Sequence, residues 1–410
     1  MPPTFSVVVP TRHRPAFIRQ GLGILEHQGH GSFQVVISDN FLDPAQSCEV
    51  ICRESGVANL TYVQPPRPVG MVENWRWALG HATGDYLLFL TDKMFVLPGA
   101  LGRIERAIEA NGGPDIVSWT SDAYNPDSYT DYLGPGRYVG VPGADPATPW
   151  LAFSPGAELD RRGRATVSRG EMTSADYARG KLVFGAYRRD LVERIVARHG
   201  HIFHTINPDY TSMVLGLGNA QDAVEMTSSC VVSINTDISN GRRSDTDDTA
   251  AYAFIDSLEG GVAAIAPRLP APGVYASVHN WVAHDLLAMR EPQGLAFEFD
   301  MISWLTYVSE DIHRPGRSWS SPQVEADQKG LLAAHIGSLE PAVRAAIRAR
   351  IERRAASGPG ARRSGPAGLA RRVLARARRR LFPAPPVPSR AVDASSIEAA
   401  VAAQGGRLTA

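Results

Sequence analysis

Short apolar segments alternate with segments of helical spacing over residues 5–120, and this alternation constrains the fold more than any other feature. The apolar segments are continuous runs rich in Val, Ile and Leu, as in strands that are buried on both faces. Five strands are predicted, at 5–10, 34–39, 60–63, 86–91 and 116–119. Helix-length connections between them are typical of an α/β protein in which a mostly parallel sheet is sandwiched by helices.

The composition changes after residue 120 and again near residue 341. Residues 121–170 are rich in Gly, Pro, Asp and Tyr and predict a long irregular insertion, of the kind that often forms lids or binding walls. A second structured portion is predicted over about 171–320, with a polar loop at 235–249. From about 341 the chain is rich in Arg, Ala, Gly and Pro, and we expect disorder beyond Phe382.

The basic charge of the chain is concentrated in one segment. Residues 341–383 contain 13 arginines and one acid, a local charge of +12, whereas the whole chain has 42 basic and 42 acidic residues. The remainder therefore carries −12, which excludes a uniformly basic nucleic-acid-binding protein. Four apolar residues among the arginines predict an amphipathic helix: Leu369, Val373, Leu374 and Leu381. Two interpretations stay open, an interfacial helix attracted to anionic lipid and a solvated tail.

Cysteine content and hydropathy indicate the compartment. Three cysteines are too few for a disulfide framework, and no CxxC pair offers zinc-ligand spacing. No apolar run reaches the roughly 18–20 residues that cross a bilayer, and the first residues lack the order of a secretory signal. We therefore expect a cytoplasmic protein.

Polar residues follow three of the predicted strands. Thr11 follows the first strand, Asp39 ends the second and Asp92 follows the fourth. Because ligands bind at the carboxyl ends of strands in an open parallel sheet, we expect these segments to converge on one crevice. The first loop, PTRHRP, is not the GxGxxG of a dinucleotide site, and the chain has no GxxxxGK(S/T) phosphate loop. A bound nucleotide would therefore be held by side chains and strand ends.

Four segments resemble, in order and spacing, the nucleotide-sugar domain of family 2 glycosyltransferases, which have the GT-A fold. The segments are FSVVVPTRHRPAFIRQGL, FQVVISDN, GMVENWRWAL and HATGDYLLFLTDKMFVLPGAL, and together they span about residues 4–110. A later segment, FHTINPDYTSMVLGLG, is similar to the acceptor-side segment of such enzymes. Together with the changes in composition, the resemblance leads us to expect a nucleotide-sugar (donor) half at 1–120, an acceptor-binding half at 121–330 and an Arg-rich, partly disordered extension at 331–410.

Carried over residue by residue, the resemblance assigns roles at the strand ends. Pro10 and Thr11 would line the nucleotide, with Arg14 near it. Asp39 matches the acid that reads the base or ribose, a role suited to a carboxylate because it accepts N–H and O–H donors. Asp92 matches the first acid of the DxD-like motif, which touches ribose or a metal ion.

The DxD-like motif departs from the family pattern. Family members commonly read TDDD or DSDD, whereas this chain reads TDKM, with Met94 where the metal-binding carboxylate usually stands. Magnesium and manganese prefer oxygen ligands. Two alternatives stay open: Asp92 alone holds a divalent Mn or Mg ion with help from the diphosphate, or Lys93, with Arg242 or Arg243, neutralises the leaving diphosphate.

The reaction that the resemblance implies is hexosyl transfer with inversion at the anomeric carbon. It needs a general base near the acceptor hydroxyl, and Asp209 is the candidate because its segment resembles the catalytic region of the family. Two alternatives are that Asp209 only caps a helix beginning at Tyr210, and that Asp222 is the base.

The implied partners are a nucleotide-sugar donor and a glycan or lipid-linked acceptor, as in polysaccharide or glycolipid synthesis. The Arg-rich segment would allow peripheral contact with the inner face of the membrane, and no nucleic acid is expected. Two other functions stay open. A nucleotidyltransferase would normally carry a Gly- and Lys-rich first loop, which is missing here. A non-catalytic nucleotide-sugar-binding relative is compatible with the acid missing at Met94.

Overall fold

The computed structural model describes residues 4–141, 148–165, 174–237, 240–291, 294–356 and 391–408. The strands are β1 (Phe5–Thr11), β2 (Phe33–Asp39), β3 (Leu60–Val63), β4 (Tyr86–Phe89), β5 (Met94–Val96), β6 (Ile116–Ser118), β7 (Ser121–Ser128), β8 (Asp131–Val139), β9 (Trp150–Phe153), β10 (Gly185–Arg188), β11 (Ala223–Met226), β12 (Val231–Ile234) and β13 (Ala391–Ala394). The helices are α1 (Pro15–Leu25), α2 (Glu49–Glu54), α3 (Met71–Leu79), α4 (Ala100–Ala110), α5 (Pro155–Gly163), α6 (Ser174–Ala178), α7 (Arg189–His199), α8 (Pro208–Asn219), α9 (Asn240–Thr246), α10 (Asp248–Asp256), α11 (Gly261–Ile265), α12 (Val278–Arg290), α13 (Met301–Ile312), α14 (Pro322–Ser338), α15 (Pro341–Ala356) and α16 (Ile397–Leu408).

An eight-stranded sheet forms the centre of the molecule, in the order β3-β2-β1-β4-β10-β6-β11-β9. Strands β3, β2, β1 and β4 are parallel, and β11 is parallel to β6. Strand β10 runs antiparallel between β4 and β6, and β9 is an antiparallel edge strand. The five strands expected from the sequence are β1–β4 and β6, and the predicted α/β architecture with a mostly parallel sheet is confirmed.

Both faces of this sheet are covered, which explains the continuous apolar runs. Successive residues of a strand point to opposite faces. Val8 accordingly packs into one core cluster with residues of α3, α7 and α8, while Val7 packs into a second cluster with residues of α1 and α4. The sheet therefore has two apolar layers around it, and its strand ends are left for polar residues.

The turn before β4 locks that strand against β1. The backbone N–H of Gly84 donates to Ser6 Oγ at 2.8 Å, and a Cβ at Gly84 would lie 2.5 Å from the carbonyl carbon of Phe5. Only glycine fits so close an approach. This register brings the carboxyl ends of β1 and β4 side by side.

The prediction of an irregular insertion at 121–170 was wrong. This region contains β7, β8, β9 and α5, and a second, five-stranded sheet forms in the order β13-β8-β7-β12-β5. Tyr124 and Tyr138, on β7 and β8, are fully buried. Tyr138 donates its hydroxyl hydrogen to Asp122, and Tyr124 donates to the Gly134 carbonyl at 2.5 Å. The polar composition thus reflects buried hydrogen-bonded tyrosines and a solvated sheet face.

The prediction of a polar loop at 235–249 was also wrong, because α9 and the start of α10 lie there. The Asp247 carboxylate accepts the backbone N–H of Thr249 at 2.9 Å and so caps α10. The buried Arg317 guanidinium donates to the carbonyls of Ser244 and Asp245 at the end of α9. The polar residues of this segment therefore lie in helices and form hydrogen bonds at the helix ends.

The predicted disorder beyond Phe382 was wrong for residues 391–408. Strand β13 pairs with β8, and Ile397 and Val401 of α16 are buried in the core cluster beneath it. The predicted amphipathic helix around Leu369–Leu381 lies outside the described residues. Among the helices that the structure describes, none is long and apolar enough to cross a bilayer.

Candidate functional site

The carboxyl edge of the parallel strands brings together the three polar residues expected to converge. Thr11 and Asp39 are neighbours in register at the ends of β1 and β2. Thr11 Oγ1 donates to Asp92 Oδ2 at 3.1 Å, across 81 residues of sequence. Pro10 precedes Thr11 in β1, paired with Ser38. Side chains from three separate segments of the chain therefore lie together at the carboxyl ends of the parallel strands.

Asp39 is fully buried at this edge. Its Oδ2 accepts the backbone N–H of Cys48 at 2.6 Å and the hydroxyl of Tyr62 at 3.1 Å. Its Oδ1 has no hydrogen-bond partner among the described residues. Burial raises the pKa of Asp39, and the two hydrogen bonds only partly offset this. The carboxyl group is thus held rigidly with one acceptor oxygen uncommitted.

The loop after β1 contacts both neighbouring strand ends. His13 has a left-handed backbone conformation, with φ 57°, and its Nε2 accepts the backbone N–H of Leu42 at 2.8 Å. Arg14 Nη1 forms an ion pair with Asp92 Oδ1 at 2.7 Å. The loop thereby ties the segment after β2 to the segment after β4.

Asn40 and Asn74 have orienting contacts beside this edge. The Asn40 side chain exchanges two hydrogen bonds with the backbone of Val69, at 2.8 and 3.0 Å. Asn74 Oδ1 accepts the Ser38 hydroxyl at 2.7 Å. Both residues hold α3 and the loop before it against the end of β2.

The residues of the TDKM segment do not fit a divalent metal site. Both carboxylate oxygens of Asp92 are engaged by Thr11 and Arg14. Met94 is buried in β5, where it lines a small apolar void under α1. No group of three His, Cys, Asp or Glu side chains suited to a metal occurs within the part of the chain that the structure describes. The usual oxygen ligands of Mg²⁺ and Mn²⁺ are thus missing from this segment.

Lys93 stands in a locally cationic environment. Burial lowers the pKa of its ammonium group, and the positive charges of Arg14 and Arg242 lower it further. The Lys93 carbonyl accepts the backbone N–H of Ile234, the last residue of β12, at 3.0 Å. The end of β12 therefore lies beside Lys93. Arg242 and Arg243 are exposed on α9. Three cations, Arg14, Lys93 and Arg242, therefore lie close enough to interact electrostatically.

Asp209 lies in the first turn of α8, and its carboxylate accepts Lys181 Nζ at 3.1 Å. Lys181 is 0% exposed, and its ammonium lies 3.9 Å from the ring centroid of Tyr177 and 3.6 Å from that of Tyr210. Helix α8 begins at Pro208, with Asn207 as its N-cap residue. The interpretation of Asp209 as the cap of a helix starting at Tyr210 was therefore wrong.

The strand directions in the large sheet show whether Asp209 and Asp222 lie at the carboxyl ends of the parallel strands. Strand β10 is antiparallel to β4, so the segment before β10, with Lys181, lies at the carboxyl end of β4. Asp209 is therefore on the side of the sheet edge where Asp92 lies. Asp222 precedes β11, where it accepts the backbone N–H of Asp115 at 2.8 Å. It lies at the opposite edge, so Asp222 as an alternative base was wrong.

Sequence reasoning missed several residues of this region. His13, Cys48, Tyr62 and Lys181 each contact a predicted site residue or its loop. Cys48 acts through its backbone and Lys181 is buried, so neither carried a signal in composition or spacing. His13 lies inside the first motif segment and Tyr62 lies near the end of the third predicted strand, and these positions were the available signal.

Residues 6–162 match the family model described as glycosyl transferase family 2. No curated protein sequence matches the chain. Solved structures with a similar arrangement include S. aureus TarS 1-349 in complex with UDP-GlcNAc, at 14% identity and a TM-score of 0.45, covering 85% of this chain and 90% of that one.

Two further solved structures give similar values. The longer S. aureus TarS structure is 14% identical with a TM-score of 0.43 over 84% of this chain, which spans only 55% of that chain. Mannosyltransferase PcManGT from Pyrobaculum calidifontis, in complex with GDP-Man and Mn2+, is 15% identical with a TM-score of 0.38, covering 93% of this chain and 82% of that one.

Proposed function

We propose that this chain, whose residues 6–162 match the family model described as glycosyl transferase family 2, is a nucleotide-sugar-dependent glycosyltransferase. It would move a sugar from a nucleoside diphosphate to an acceptor hydroxyl with inversion at the anomeric carbon. The observation that supports this most is the meeting of Thr11, Asp39 and Asp92 at the carboxyl edge of the sheet. Ligands bind at such edges in open α/β sheets.

Asp39 would read the nucleoside. Its Oδ1 is buried without a protein partner, and a buried acceptor of this kind is costly unless a donor satisfies it. An N–H of the base or a hydroxyl of the ribose would supply that donor. Pro10 and Thr11 would form the adjoining wall, and Asp92 would lie toward the ribose and diphosphate.

Lys93, Arg242 and Arg243 would stand near the diphosphate. When the bond between the anomeric carbon and the diphosphate oxygen breaks, its electron pair leaves with the nucleoside diphosphate as additional negative charge. Cations at that position stabilise the transition state more than the ground state, which is the condition for catalysis. The surplus of positive charge around Lys93 supports this role.

Asp209 would be the general base. Lys181 holds its Oδ2, and among the described residues its Oδ1 has no hydrogen-bond partner, so that oxygen is available to an acceptor hydroxyl. Asp209 would take the hydroxyl proton as the acceptor oxygen attacks the anomeric carbon from the face opposite the leaving group. A carboxylate that is oriented on one oxygen and open on the other suits this task.

We also propose a role for each part of the chain. Residues 1–120 would bind the donor, residues 121–330 the acceptor, and residues 331–410 would form an Arg-rich extension. The acceptor would be a glycan or a lipid-linked sugar in glycoconjugate synthesis at the cytoplasmic face. The high arginine content of residues 341–383 supports peripheral contact with anionic lipid there, although Arg354 pairs with Glu310 on the body.

The proposal is tested with four nucleoside diphosphates (UDP, GDP, dTDP and CDP) and their sugars. We expect at least one to raise the melting temperature, because a ligand that binds only the folded state stabilises it. Asp209→Asn should bind that ligand normally, yet lose slow donor hydrolysis and transfer to a hydroxyl acceptor. Circular dichroism serves as the folding control. Unchanged melting with all four nucleotides, or normal turnover by Asp209→Asn, would contradict the assignment.

A further inference from the structure

The region where the family usually places a metal ion is occupied by a protein ion pair. Asp92 is the one acid of the TDKM segment and is 7% exposed. One of its oxygens pairs with Arg14 Nη1 at 2.7 Å, and the other accepts the Thr11 hydroxyl at 3.1 Å. A metal ion would have to displace a charge-assisted hydrogen bond of good length before Asp92 could bind it.

The neighbouring positions of this segment offer no second carboxylate, and the only other side-chain oxygen in it is the buried hydroxyl of Thr91. Met94 is 5% exposed and packs into the apolar layer under α1, so its sulfur faces the core. Lys93, between Asp92 and Met94, adds a cation where the family has an acid. Mg²⁺ and Mn²⁺ need several oxygen ligands, and this segment provides one carboxylate that already has two protein partners.

The charges at this point instead fit an anion. Arg14 contacts Asp92 and Lys93 is the next residue in sequence, so two cations lie beside this carboxylate, and Arg242 is close enough to add to the positive charge around Lys93. Such like charges repel one another in a partly buried place unless a counter-charge binds. The side chain of Arg14 is 27% exposed, and a guanidinium has five N–H donors, of which Asp92 accepts one from Nη1.

We propose that Arg14, anchored by Asp92, acts with Lys93 in place of a divalent cation at the diphosphate, so that transfer needs no metal ion. This inference rests on the proposed function of the site. As the sugar–phosphate bond breaks, the electron pair goes to the terminal phosphate oxygen, and the two cations stabilise it by hydrogen bonds while both stay protonated. Asp92 is then a positioning residue, because it acts through Arg14.

The test measures binding of the nucleoside diphosphate that the melting panel identifies, by calorimetry in EDTA and in Mn²⁺, together with turnover under both conditions. We expect dissociation constants in the two buffers that agree within about twofold. Arg14→Gln should weaken diphosphate binding roughly tenfold, the loss of a hydrogen bond to a charged group, without changing affinity for the uncharged nucleoside. Arg19→Gln, an exposed change on α1, the helix that Arg14 immediately precedes, is the matched control.

A second variant, Asp92→Asn, tests whether Asp92 acts by positioning Arg14. It should lower kcat in EDTA, since Arg14 loses its anchor, and Mn²⁺ should not change that result. Binding or turnover that requires Mn²⁺ in the unaltered enzyme would overturn the inference while leaving the transferase assignment intact. Equal loss of nucleoside and diphosphate affinity in Arg14→Gln would also overturn it. If no nucleotide binds in either buffer, the proposed function itself has failed.

Discussion

Asp39 combines complete burial with an uncommitted oxygen, and its titration is therefore informative. Burial raises its pKa above the usual 3.8, so the folded state holds this proton more tightly than the unfolded state. The contribution of Asp39 to stability is then greatest below pH 3.8 and declines as pH rises through the folded-state pKa. At neutral pH the charged form of Asp39 therefore lowers the stability of the folded state.

We predict that Asp39→Asn becomes more favourable, relative to the unaltered protein, as pH rises from 4 to 7. The asparagine keeps an acceptor for Cys48 and Tyr62 but does not ionise. The difference in melting temperature between the two proteins, followed across this pH range, checks the prediction. At neutral pH the same variant should bind nucleoside diphosphate roughly tenfold more weakly, because a neutral acceptor is weaker than a carboxylate.

Asp127→Asn is the control for this comparison, since Asp127 is exposed on β7. Its melting temperature should follow that of the unaltered protein at every pH. A pH-independent difference for Asp39→Asn would show that burial does not shift the Asp39 titration in the way described.

The individual site residues differ in how far sequence could predict them. Thr11, Asp39 and Asp92 were predictable because each ends or follows a strongly apolar strand, and parallel strands place such ends together. Lys181 was not, because a lone lysine between Gly180 and Leu182 gives no sign that it is fully buried under two tyrosine rings. Tertiary packing alone decides that placement.

Helix α8 is joined to the segment before β10 by the Lys181–Asp209 pair. The buried ammonium has a carboxylate and two aromatic faces as its partners. Removing one member of a buried ion pair leaves the other uncompensated, whereas removing both can be nearly neutral. The two partners should therefore respond very differently to substitution.

We predict that Asp209→Asn lowers the free energy of unfolding by roughly 2 kcal/mol, while Lys181→Met, of similar volume, stays within about 1 kcal/mol of the unaltered protein. The double variant should resemble Lys181→Met. Chemical denaturation of all four proteins gives the coupling energy directly. Kinetically, Lys181→Met should lower kcat and leave the donor KM unchanged, because Asp209 loses its orientation. Strictly additive stability changes would rule out the coupling.

Elements were predictable to the extent that their hydrophobic pattern was regular. Strands β1–β4 and β6 are buried on both faces and read as continuous apolar runs. Strands β7 and β8 were missed because they mix buried tyrosines with polar residues and carry prolines, a pattern that resembles a loop. Helix α9 was missed because its sequence, NGRRSDT, has no apolar face.

The C-terminal end of the described chain belongs to the main body of the molecule. Strand β13 completes the second sheet, and α16 buries Ile397 fully in the core cluster shared with β7, β8 and α1. A segment that contributes core residues contributes to global stability, however far it lies from the site in sequence.

We predict that Ile397→Ala lowers the free energy of unfolding by about 2–5 kcal/mol, as for other buried large-to-small changes. Glu398→Gln, exposed on the next position of α16, is the control and should have little effect. Thermal and chemical denaturation of both variants provides the measurement. If the two variants melt together, α16 does not pack on the core.

The return of the chain at β13 has a consequence for the Arg-rich segment. Helix α15 ends at Ala356 on the body, and Ala391 re-enters the second sheet. The nine arginines between these points therefore belong to a segment that is tethered to the body at both ends. Any anionic surface that these arginines contact must lie within the span of the 34 residues that join the two points. After a single cleavage in this segment, the arginines before the cut would remain covalently attached to α15.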